Sequence, residues 1–210
     1  MISKSESAWS LRDIPQADLA GLERDLRQLS LRYMRQSVEV PLNHKDQAVR
    51  AKLYAAAKAL QQAVREGMVA EAIFEIGSNL IACEQMALLV TSEQQDRVAF
   101  VGSVGFNPKQ IEAIRRNAKR ILEDAPADSI YIKNGAEDRS FLSSLGINAR
   151  IPFWLDSSTK GAIVLFDLLP QRNGLDAGDR ELLKLLCAYT GPCLAANKTK
   201  HQETFGWVEL

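Results

Sequence analysis

Apolar residues return at steps of three and four over residues 16–36, where Leu19, Leu22, Leu26, Leu29 and Tyr33 form one row. Glu23, Arg24, Asp25, Arg27 and Arg32 fill the intervening positions. This spacing predicts an amphipathic helix whose a/d seam packs against one partner helix. Pro15 and Asp18 stand where a helix start is favoured. Residues 38–43 read as extended, because Val38 and Val40 are β-branched and Pro41 pushes the residue before it out of the helical region. A second helix is expected from Lys45 or Asp46, with Val49, Leu53, Ala56, Leu60 and Ala63 at the same spacing. Gly67 costs about 1 kcal/mol relative to alanine inside a helix and so marks a boundary. Beyond it, Val69, Ile73, Ile76, Leu80 and Cys83 make a wider stripe, suited to packing on a sheet. The pattern divides the chain into a helical N-terminal stalk (1–66), a globular domain (67–197) and a tail (198–210).

From Met86 the period shortens. Residues 86–91 and 97–104 read as two strands joined by a polar turn, an antiparallel hairpin. Asn107-Pro108 starts a helix that turns Ile111, Ile114, Ala118, Ile121 and Leu122 inward and ends before Pro126. Residues 129–132 form a third strand, Asn134-Gly135 a turn, and 138–145 a short helix closed by Gly146. Residues 149–155 and 161–168 form a second hairpin around the polar loop 156–160. A final helix over 175–197 is expected to kink at Gly191-Pro192, where the ring removes a backbone donor. The tail holds Phe205, Trp207 and Val208, which could add an edge strand or dock on the core.

Charge and composition narrow this picture by exclusion. Twenty-six basic residues balance twenty-six acidic ones, which gives no general pull toward nucleic acid or anionic membrane. The cluster Arg115, Arg116, Lys119 and Arg120 reads as the solvated face of its helix. The apolar run 162–169 is broken by Asp167 and too short to span a bilayer, and residues 1–15 lack a signal-peptide core. Three cysteines, Cys83, Cys187 and Cys193, are an odd number without metal-ligand spacing, which points to a reducing, cytoplasmic setting.

Helix, hairpin, helix, strand, short helix, hairpin and helix on one antiparallel sheet is an α+β layout. In its local wording the sequence resembles the GAF family over residues 67–197. The resemblance is carried by Ala87-Leu88-Leu89-Val90, Gly102-Ser103-Val104-Gly105-Phe106, Ile151-Pro152-Phe153, Gly161-Ala162-Ile163-Val164-Leu165 and the closing helix from Asp179 to Asn197. PAS-like domains share a related layout. Membership would imply a central antiparallel sheet of five to six strands with the first and last helices packed together on one face. It would also imply a small-ligand pocket on the other face, under the helix from Pro108, and a sensory or dimerising regulatory role.

The chemistry that would make an enzyme is sparse. His44 and His201 lie outside the expected core, which leaves Ser-His-Asp or Cys-His catalysis without a base and a metal without clustered ligands. No Walker-type phosphate loop occurs. The cysteines, histidines and Asn-Lys-Phe-Asp-Glu signature used by methionine-sulfoxide-reducing, bilin-binding and cyclic-nucleotide-binding GAF relatives cannot be traced. The expectation is therefore a non-enzymatic, cofactor-free and metal-free signalling module that relays to a partner protein, with no nucleic acid or membrane partner. Phe106, Arg115, Tyr131, Asn134, Arg150 and Phe153 are its candidate ligand-binding residues, Arg150 as the partner of an anion. Leu19, Leu22, Leu26, Leu29, Tyr33, Leu53 and Leu60 are candidates for a helical homodimer interface, unless the first helix folds back on the second. The alternative to sensing is an adaptor whose pocket is filled by its own side chains, with Trp9 and Trp207 among its contact residues.

Overall fold

A computed structural model describes residues 19–39, 44–92, 97–124, 129–135 and 137–201. Over these residues it is an α+β fold of six helices and one antiparallel sheet of five strands. In chain order the elements are α1 (Leu19–Glu39), α2 (His44–Glu66), α3 (Val69–Ile76), β1 (Met86–Ser92), β2 (Arg97–Val104) and α4 (Pro108–Glu123). They continue with β3 (Tyr131–Ile132), α5 (Phe141–Ser144), β4 (Ala149–Trp154), β5 (Thr159–Leu165) and α6 (Ala177–His201). Among the described residues no helix is long and apolar enough to cross a membrane.

Several boundaries depart from the sequence pattern. Val38 and Glu39 are helical, where the pattern predicts an extended segment, and residues 40–43 of that segment lie outside the described residues. The β-branched penalty at Val38 is only a few tenths of a kcal/mol and yields to helix propagation. Gly67 does break the helix, with φ of 80° between α2 and α3. After α3 the chain widens into a π-turn over Gly77–Ile81 and stops at Ala82 in a left-handed conformation. α6 runs through Pro192 as one helix and continues to His201, past the expected end at 197. The tail aromatics and Trp9 lie outside the described residues.

The strand order is β2-β1-β5-β4-β3, so the two hairpins are joined side by side through β1 and β5. Period-two alternation then sorts the side chains between two faces. Met86, Leu88, Val90, Ala149, Ile151, Phe153, Ile163 and Leu165 face a core shared with α2, α3 and α6. Ala87, Leu89, Ala162, Val164 and Phe166 face a second core with Ile114, Ala118, Ile121 and Leu122 of α4, and with Leu142 and Ile147. Each fully buried Leu or Ile contributes about 2 kcal/mol of transfer free energy, and both faces are thereby fixed.

The seam on α1 is filled from within the chain. Leu22, Leu26, Leu53 and Leu60 are buried, and Leu19, Leu29 and Tyr33 are packed against the same core. Arg65 pairs with Glu23 at 3.3 Å, which sets α1 antiparallel to α2. The α1 residues expected to meet a second chain therefore pack within their own, and Leu53 and Leu60 of α2 are buried in the same core. A seam cannot serve a partner without first opening this contact. The first two helices and the rest of the chain share one continuous core, from Leu22 through Leu60 and Ile73 to Leu194.

Candidate functional site

The two faces of the sheet are closed to different degrees. α2, α3 and α6 pack along one, whereas the other carries α4, the four-residue α5 and loops. A half-open cavity of about 230 Å³ lies beside α4, bordered by Leu145 and Gly146 and by Gln85, Phe166 and Asp167 next to the ends of β1 and β5. Phe106, Ile114, Leu145 and Phe166 supply apolar walls, and Gln85, Gln110 and Asp167 supply polar groups. Sequence-level reasoning reaches Phe106 alone among the pocket candidates. It misses Gln110, although the Asn107-x-x-Gln110 spacing at a helix start is a readable capping signal.

That cap positions the cavity wall. The Asn107 side chain accepts from the Gln110 amide at 3.0 Å, and the Gln110 side chain accepts from the Asn107 amide at 3.0 Å. Pro108 follows at the first helical position, where its missing N–H costs nothing. Phe106 meets Phe166 edge-to-face, with centroids 5.0 Å apart. The opposite wall is pinned by main-chain bonds: the Asp167 carbonyl accepts from the Glu84 amide at 2.7 Å, and the Phe166 amide donates to Gln85 at 2.8 Å.

The remaining candidates go elsewhere. Phe153 is fully buried on the opposite face, under α6, because it lies an odd number of residues from Arg150 in β4. Arg150 faces α4, yet its guanidinium is spent on main-chain carbonyls: Nη1 donates to Ile121 at 3.1 Å and to Asp124 at 2.7 Å. It thus caps the C-terminal end of α4, where carbonyls lack helical partners. Its side chain does not line the cavity, and the expected role as an anion partner is replaced by this structural one. Arg150→Met should lose about 2–4 kcal/mol in urea denaturation, since buried carbonyls lose a charged donor. Arg150→Lys should recover only part, because an ammonium cannot fork between them. A ligand-pairing arginine would instead leave the stability nearly unchanged on substitution.

Tyr131 and Asn134 belong to a loop built around Asp138. The Tyr131 hydroxyl donates to Asp138 at 2.9 Å, and the Asn134 and Ser140 amides donate to its carboxylate at 3.0 and 2.9 Å. The Ser140 hydroxyl first, then these amides, hold the Asp138 carboxyl far below the usual carboxylate range. A lowered folded pKa contributes order that is complete above the unfolded value and is lost as pH falls through the folded one. The loop should thus be insensitive to pH above about 4 and loosen only in stronger acid. Asp138→Asn removes the charge at every pH, and amide exchange at Asn134 and Ser140 should quicken about tenfold at neutrality. Unchanged exchange would mean that the carboxylate does not order the loop. Arg115 is half-buried on α4 and does not line the cavity.

The thiols are poor nucleophiles. Burial pushes Cys83 and Cys187 up to about 11 and Cys193 up to about 12. Among the described residues no cluster of three His, Cys, Asp or Glu could hold a metal ion. No family model matches this chain, nor does a curated protein or a solved structure.

Proposed function

We propose that the protein is a GAF-like regulatory module that binds a small molecule in the cavity beside α4 and works without covalent chemistry. The observation that carries this reading is the unequal closure of the two faces, with a cavity of about 230 Å³ left under α4. Its volume falls a little below the range of ordinary ligand pockets, which suits a ligand of about one ring. The order of elements, five antiparallel strands and the joint packing of α2, α3 and α6 on the far face agree with the layout that the GAF resemblance implies. Raised thiol pKa values agree with a non-catalytic role. Ligand occupancy would bias α4 and the 129–146 region, and the change would be passed to a partner protein by population shift. A homodimer through the α1 seam would first have to open the packing of this helix, since Leu22 and Leu26 are buried within the chain.

Native mass spectrometry of the freshly purified full chain, followed by a fragment titration monitored by amide NMR, tests the reading. Saturable shifts confined to Phe106, Ile114, Leu145 and Phe166 are expected. Ala113→Phe, which sets a ring at the cavity wall, should abolish them while the circular dichroism spectrum stays unchanged. A cavity inert to ring-sized fragments of every charge would sink the reading. The alternative is an adaptor, favoured by one observation: the Arg150 Nη1 and the Tyr131–Asp138 loop are held by the chain's own groups.

A further inference from the structure

The cavity under α4 is chemically lopsided. Its walls are mostly apolar, and Asp167 carries the only formal charge among its lining residues. That carboxylate sits on a fixed main chain, since the Asp167 carbonyl accepts from the Glu84 and Gln85 amides at 2.7 and 3.3 Å and from the Cys83 thiol at 3.4 Å. Main-chain anchoring of this kind places an exposed side chain without spending its charge. The Gln85 side-chain amide donates to the Gly105 carbonyl at 3.1 Å, which leaves its oxygen as a second acceptor at the wall.

Two further features select against an anion. A helix N-terminus attracts anions through free amides, but here the Gln110 amide is taken by the Asn107 side chain and Pro108 has none. An anion would also approach Asp167, a like charge. A cation finds the opposite. Phe106 and Phe166 both line the cavity, and aromatic walls attract ammonium groups.

The geometry points to a small organic cation, an amine on an apolar body of about one ring, as the ligand class of this cavity, an inference that rests on the ligand-binding reading above. Benzene fills an apolar cavity of about 150 Å³. The space here, about 230 Å³, also admits a short aminoalkyl arm reaching Asp167.

The test titrates the full chain with 2-phenylethylammonium, 2-phenylethanol and 3-phenylpropionate at equal ionic strength, read by amide NMR. The ammonium should bind about tenfold more tightly than the carboxylate, and Asp167→Asn should remove that preference while leaving the alcohol's affinity unchanged. Added salt should weaken the ammonium alone. Equal binding of the three, tighter binding of the carboxylate, or an ammonium affinity indifferent to Asp167→Asn overturns the cation inference and leaves the cavity reading standing. Failure of all three probes to bind overturns both.

Discussion

Replacing Asp179 by asparagine is expected to cost about 3 kcal/mol or more of folding stability, although the residue is remote from the cavity. Its side chain is fully buried at the start of α6. One oxygen takes Lys52 of α2 at 3.1 Å, and the other takes Arg172 of the preceding loop and the Asp176 amide at 2.9 Å. Asp176 answers by accepting from the Asp179 amide at 2.8 Å, a reciprocal cap on the helix. Asparagine keeps the volume but offers one acceptor and no charge, so two cations are left around a neutral group. Lys52→Met should cost less, about 1 kcal/mol, because Arg172 still neutralises the carboxylate and Lys52 is partly exposed. Parallel urea transitions with unchanged slopes measure both losses. A loss below 1 kcal/mol for Asp179→Asn would mean that the buried network does not hold α6 to α2.

The same site carries a pH signature. The Asp179 amide chiefly, with Lys52 and Arg172 as attracting charges, lowers the Asp176 carboxyl below its usual value of 3.8. Asp176 therefore stabilises the fold above that value and ceases to do so as acid protonates it in the native state. Acid unfolding should begin at higher pH in Asp179→Asn than in the parent chain.

What could be read in advance followed the range of the forces involved. α1, α2 and α4 announce themselves because burial repeats every turn, and both hairpins because polar turns separate apolar runs. Neither periodicity says which element lies beside which. The pairing of β1 with β5 depends on contacts more than sixty residues apart, and no local signal encodes it. The α1 seam is equally silent, since an apolar row is complementary to any apolar row, its own chain's included. Phe153 is a different kind of miss. Strand parity alone separates it from Arg150, and applying it would have divided the candidate pocket residues between two faces. Arg150 and Asp179 escaped because an arginine or aspartate becomes structural only when a fold surrounds it with partners. Asp167 was legible only as an interruption of an apolar run.

Gly191→Ala sets two of these ranges against each other and is the second large effect expected. Gly191 lies inside α6, where local propensity says that alanine should gain about 1 kcal/mol. Packing says the reverse. A methyl group on Gly191 would overlap the Trp154 carbonyl oxygen and come within 2.7 Å of its carbon and 3.2 Å of its amide nitrogen. These are main-chain atoms of β4 and cannot turn aside as a side-chain tip would. One turn earlier, the Cys187 thiol donates to the Pro152 carbonyl at 3.1 Å, so α6 rests directly on the backbone of this strand. Making room requires lifting the helix off β4, which uncovers Ile151 and Phe153 beneath it. Overpacking of this kind costs about 3 kcal/mol, a fall in Tm of roughly 6–12 °C for a domain of this size. Gly178→Ala is the comparison within the same helix: its methyl would meet only side-chain atoms, Val49 at 2.7 Å and the Asp176 carboxylate at 3.2 Å. These can shift by a few tenths of an ångström where main chain cannot, and its loss should be smaller. A rise in Tm for Gly191→Ala would show that helix propensity outweighs the contact, and α6 would then be free to slide on the sheet. A fall, with Gly178→Ala near the parent, would make the close approach of α6 to β4 the contact that keeps this face of the sheet sealed.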